Sequence, residues 1–85
     1  MSGDKIKADK ILNKEVRIID YQIKESKFQE KGNGKMAKIQ IEWENEKRIL
    51  FLGSVPLQET ITQIDKSQLP IIAKITKDKG YYELV

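Results

Sequence analysis

The sequence predicts an all-β domain with one short helix, on three observations. Apolar residues recur at every second position in several runs, most cleanly at Ala37, Ile39, Ile41 and Trp43, which is the period of a strand with one buried face. The period changes once, after Gly53, where Leu57, Ile61 and Ile64 fall at i, i+4 and i+7, the spacing of one helical face. Gly32-Asn33-Gly34, Gly53, Pro56, Pro70 and Gly80 punctuate the chain between these runs, as turn-forming residues do.

The first strand is expected over Glu15 to Lys24. Its apolar phase runs through Val16 and Ile18 and then slips to Ile19, Tyr21 and Ile23, which a bulge near Ile18 and Ile19 would explain. Met36 to Trp43 is the second strand, with Ala37, Ile39, Ile41 and Trp43 on one face and Lys38, Gln40 and Glu42 on the other. Asn45-Glu46 reverses the chain into Lys47 to Leu52, whose continuous apolar end suits a more buried strand. Ser54 stands where a helix cap is wanted and Pro56 falls in the first turn, so a helix of about three turns follows. Ile71 to Thr76 and Tyr81 to Val85 form a second hairpin with Gly80 at its turn. The segment before Glu15, including Lys5 to Leu12, is left unassigned. A helix in the third-to-fourth connection of five strands points to a five-stranded OB-fold barrel, where it plugs one end of the barrel while the strands close its edges.

With 85 residues the chain makes a single domain, residues 1–85, with one core and residues 1–12 as an N-terminal segment. Histidine and cysteine are both absent, which removes the usual base near neutral pH, the thiol nucleophile and the thiolate metal site. No enzyme, no catalytic residue, no metal and no cofactor is therefore expected. Glu42, Glu44 and Glu46 are read as a solvated hairpin rim, since spacing along a strand is not a coordination cage. No signal-peptide pattern and no apolar span is present, so a soluble, cytoplasmic protein without a membrane partner is expected.

Sixteen Lys and Arg face 13 Asp and Glu, for a formal charge of +3. The excess belongs to the first half, where Met1 to Ile41 holds ten basic residues against six acidic ones. Lysines outnumber arginines fourteen to two, which favours point-charge contact with phosphate over bidentate reading of bases. Aromatic residues stand among these lysines, and single-stranded nucleic acid needs that pairing, because bases stack on rings while phosphates seek cations. The candidate binding residues are Tyr21, Lys24, Lys27, Phe28, Lys38, Gln40, Lys74, Lys77 and Tyr81. Trp43 and Phe51 continue apolar phases and are assigned to the core. Tyr82 shares the phase of Leu84, which leaves Tyr81 as the outward ring of the pair. Tyr21 shares the phase of Ile19 and Ile23, so burial and exposure both stay open for it.

The chain resembles the small OB-fold single-stranded DNA-binding proteins of bacteriophages and bacterial mobile elements. The resemblance runs from Asn13 onward and rests on Lys14 to Tyr21, Ser26-Lys27-Phe28, Ile39 to Glu42, Phe51 to Ser54, Leu69 to Ile75 and Gly80-Tyr81-Tyr82. It implies that Tyr21, Lys27, Phe28, Lys38 and Tyr81 line a groove, that Gly53 and Ser54 are structural, and that the partner is single-stranded DNA or RNA bound with weak sequence specificity. The alternative is a small protein-protein interaction module, such as a phage-encoded adaptor or inhibitor, because small barrels carry many functions.

Overall fold

A computed structural model describes residues 3–25 and 34–85. The expected strands are present, with one addition. In chain order the elements are β1 (Asp4–Lys5), a 3-10 turn (Ala8–Ile11), β2 (Glu15–Glu25), β3 (Lys35–Trp43), β4 (Glu46–Leu52), α1 (Val55–Thr62), a second 3-10 turn (Lys66–Gln68), β5 (Ile71–Asp78) and β6 (Tyr81–Leu84). They form a mostly β fold with one short helix, in a six-stranded sheet ordered β1-β4-β3-β2-β5-β6. The sixth strand is β1, which runs parallel to β4 with Asp4 opposite Arg48 and Lys5 opposite Ile49.

The phase slip in β2 is a register shift between Ile18 and Asp20. Ile18 pairs with Ile41 and Tyr21 with Ile39, so both sides of the slip deliver their apolar residues to the same face, with Ile19 as the extra residue. The turn between β3 and β4 carries positive φ at Glu44 (53°) and Asn45 (63°), the backbone of a tight two-residue hairpin turn whose twist matches the strands. Lys79 and Gly80 repeat that pattern between β5 and β6, at φ 50° and 83°.

The core lies on the inward face of this sheet. Ile11, Ile18, Ile39, Ile41, Leu50 and Ile75 are fully buried there, joined by Leu57 and Ile61 from α1. Helix α1 spans 8 residues, about two turns rather than three, and Ile64 falls beyond it. Ser54 occupies the N-cap position but makes no side-chain cap bond. Its hydroxyl instead donates to the carbonyl of Tyr82 at 2.5 Å, tying the start of α1 to β6.

Among the described residues no ladder joins β4 to β6, so the sheet is not a closed hydrogen-bonded barrel. The unassigned N-terminal segment spans that gap. From β1 on the edge of β4 it turns through Ala8 and Ile11, both buried, and reaches β5 through a parallel bridge between Leu12 and Ile75. The Asn13 amide donates to the Ile75 carbonyl at 2.9 Å, and the Tyr82 hydroxyl donates to Asp9 at 2.7 Å. An isolated apolar pair such as Ala8 and Ile11 is too short to show a period in sequence, although i and i+3 share one side of a 3-10 turn.

Candidate functional site

The outward face of the central strands is built by register. Alternation sends Lys38, Gln40 and Glu42 of β3 away from the core, and each has partners on both sides. Lys38 lies between Gln22 and Phe51, Gln40 between Asp20 and Ile49, and Glu42 between Arg17 and Lys47. Lys5 of β1 extends the middle row, opposite Ile49.

Phe51 is therefore not a core residue. It alternates outward from Leu50 and Leu52, which are buried, and is 37% exposed. The continuous apolar run Ile49 to Leu52 conceals this, because Ile49 is buried on the same outward face while Phe51 is not. The Lys5 ammonium stands 5.1 Å from the centroid of the Phe51 ring. The Lys38 ammonium approaches it from the neighbouring strand at 5.9 Å. A cation over a ring at this range gains about 0.5–1 kcal/mol at an exposed site. An exposed ring between two lysines is thus the most prominent chemical feature of the face, and sequence reasoning missed its aromatic member. The signal that finds it is the cross-strand pairing of Phe51 with Lys38.

The other expected binding residues divide. Lys38 is on the face as expected, and Lys24, exposed, stands on β2 opposite Met36. Gln40 points outward but is only 7% exposed, because β3 is flanked on both sides and the neighbouring side chains cover it, so direct base contact is withdrawn for it. Tyr21 is 8% exposed, and its hydroxyl donates to the carbonyl of Ile64 at 3.1 Å. That ring belongs to the core, with the Lys66 ammonium 4.9 Å from its centroid, and its expected stacking role is corrected accordingly. Tyr81 is 57% exposed on β6, whereas Tyr82 packs against the core, the division that strand phase anticipates. Lys77 stands 5.2 Å from the Tyr82 ring centroid. Lys74 is exposed but pairs with Glu15 at the start of β2, roughly 30 Å along the strand from Lys24, so the two do not share one short site. Lys27 and Phe28 lie outside the described residues.

The acidic residues of this region are engaged with cations, Asp20 with Lys66 at 3.5 Å and the others with arginines. Glu42 is 3.8 Å from Arg17, and Glu46 pairs with Arg48, which also approaches Asp4 at 3.7 Å. The Tyr82 hydroxyl is held above its ordinary pKa, first by the hydrogen bond it donates to Asp9, then by burial and by the Asp9 charge.

A groove of about 320 Å³ opens beside Phe51, lined by Lys5, Ile6, Lys7, Asp9, Gly53 and Tyr82 among others. One family model matches this sequence over residues 2–85, and it is described as a domain of unknown function, DUF8468. The chain belongs to that family. No curated protein and no solved structure matches it.

Proposed function

We propose that the domain binds single-stranded nucleic acid, DNA above all, with weak sequence specificity on the outward face of β3 and β4, and that it does so as an OB-type barrel. The observation that carries this reading is Phe51, exposed between Lys38 and Lys5 with both ammonium groups within 6 Å of its ring. A stacked base is worth about 1–3 kcal/mol, against about 0.5–1 kcal/mol for each lysine it displaces from the ring. The displaced lysines turn to the flanking phosphates, so the exchange favours a ligand that offers an unpaired base and a charged backbone together. A nucleoside supplies only the first and a duplex only the second.

The barrel assignment is supported by the order β4-β3-β2-β5-β6. A three-stranded meander is followed by a helix, and the next strand returns to the far side of the first, as in an OB fold. The N-terminal segment and the Ser54 to Tyr82 bond bridge the seam where ladder pairing is missing. The role proposed is binding, with no catalytic step.

Fluorescence anisotropy of labelled single-stranded DNA and RNA across salt concentrations tests this, with duplex DNA as control. Phe51→Ala is expected to cost about 1–3 kcal/mol of affinity for single strands, and Lys38→Gln to make the slope of log affinity against log salt shallower by about 0.7. Absence of single-strand binding at low salt would reject the proposal.

A second reading, a protein-interaction module, has its own observation. Ile72 and Val85 are exposed and line a hollow of about 260 Å³ with Glu15, Ala73 and Lys74, away from the Phe51 face. A salt-insensitive protein partner would favour it.

A further inference from the structure

We infer that the N-terminal segment is the second wall of the binding site: a strand stacked on Phe51 continues into the groove between residues 5–9 and the end of β4, where Lys5 and Lys7 take its phosphates. This rests on the single-strand reading of the Phe51 face and names the part of the chain that completes the site.

Four observations converge on it. The groove begins at Phe51 and continues along Leu52 and Gly53 on one side, with Lys5, Ile6 and Lys7 on the other. Its volume of about 320 Å³ is within the range of about 300–1,000 Å³ typical of small-molecule sites, so it admits a nucleotide-sized group. Lys7 keeps extended backbone, at φ −81° and ψ 137°, so Lys5 and Lys7 share one side of the segment about 7 Å apart. Two exposed cations thus follow in series from the ring. Lys5 already stands over Phe51, which makes it the link between the stacking surface and the groove.

The groove also has a boundary. Asp9 lies in its lining, and its carboxylate accepts the Tyr82 hydroxyl. A phosphate is repelled by that charge, so the path runs from Phe51 past Lys5 to Lys7 and stops short of Asp9. The sequence shows nothing of this, because it leaves the segment unassigned and places the binding lysines elsewhere.

The test uses the full chain and a labelled oligothymidylate of about 16 nucleotides, the upper end of OB-fold site sizes. Salt dependence is measured for the wild type, for Lys5→Gln/Lys7→Gln, for Lys38→Gln and for the charge-matched control Lys14→Gln/Lys79→Gln, two exposed lysines outside the groove. The Lys5/Lys7 pair is expected to weaken binding and to make the log-log salt slope shallower by about 1.4, two phosphates at about 0.7 each, while the control pair leaves the slope near that of wild type. Gly53→Glu is the companion variant. A Cβ at Gly53 meets nothing within 4 Å, so a side chain there starts from open space, and a carboxylate at the groove is expected to weaken binding even if the double variant folds poorly. Equal slopes for the Lys5/Lys7 and control pairs, with Lys38→Gln still impaired, would overturn the inference and leave the single-strand reading standing. No binding by wild type at low salt would overturn both.

Discussion

Tyr82 joins three parts of the chain. Its backbone carbonyl accepts from Ser54, its hydroxyl donates to Asp9 and its ring lies under Lys77. Because the neutral phenol is the form that donates to Asp9, the folded state raises its pKa. The bond's contribution is thus intact below the ordinary tyrosine value of about 10 and is lost as pH rises through the higher folded value. Urea unfolding at about pH 8 and about pH 11 should therefore show the wild type losing its advantage over Tyr82→Phe at the higher pH. A gap that persists unchanged would mean that the hydroxyl contributes nothing through this bond. Strand phase predicts that Tyr82 turns inward, but not that its hydroxyl meets a residue 73 positions away. The same limit applies to Phe51 and Tyr21. A run of four apolar residues has no internal phase, so the exposure of Phe51 emerges only from its register against Lys38. Tyr21, after the slip in β2, is assigned a side only once Ile39 is known to face it.

At the scale of elements, the strands that pair with sequence neighbours were legible and β1 was not. The β3–β4 and β5–β6 hairpins carry their turn residues and alternation within a few positions, and the slip at Ile18 and Ile19 announces the bulge. β1 has two residues and pairs in parallel with a strand more than forty positions on, so no local pattern marks it. It is held by its pairing with β4, and Gly3 lets the chain come close to that edge. At φ +131° a side chain is strained, and an added Cβ would stand 2.7 Å from the Lys47 carbonyl oxygen, where only backbone could move to relieve it. Gly3→Ala should push the segment off the edge of β4. The Ile6 amide, which donates to the Ile49 carbonyl at 2.9 Å, would then lose its protection in hydrogen-exchange NMR, while amides of β2 and β3 keep theirs. Protection at Ile6 equal to that of wild type would show that the close approach of Gly3 does not secure β1.

The whole molecule turns an asymmetry of sequence into one of space. The basic excess of the first half supplies the lysines that flank Phe51 from β1 and β3, although the ring itself belongs to the nearly neutral second half. A ligand spanning Phe51, Lys5 and Lys7 would therefore tie the N-terminal segment to β4 beside the seam that the ladders leave open, and binding should register as global stability. A ligand at a hundred times its Kd adds about 2.7 kcal/mol to the folded state. For a domain of 60–100 residues each kcal/mol moves the melting temperature by about 4–8 °C, so saturation should raise it by on the order of 10–20 °C. Scanning fluorimetry with saturating oligothymidylate measures this directly. The shift should shrink as salt rises, because phosphate neutralisation weakens with counterion competition, and duplex DNA of equal charge should produce much less of it, since its bases are not free to stack on Phe51. A shift of equal size with duplex and single strand would mean that charge alone drives association, and it would remove Phe51 from the mechanism.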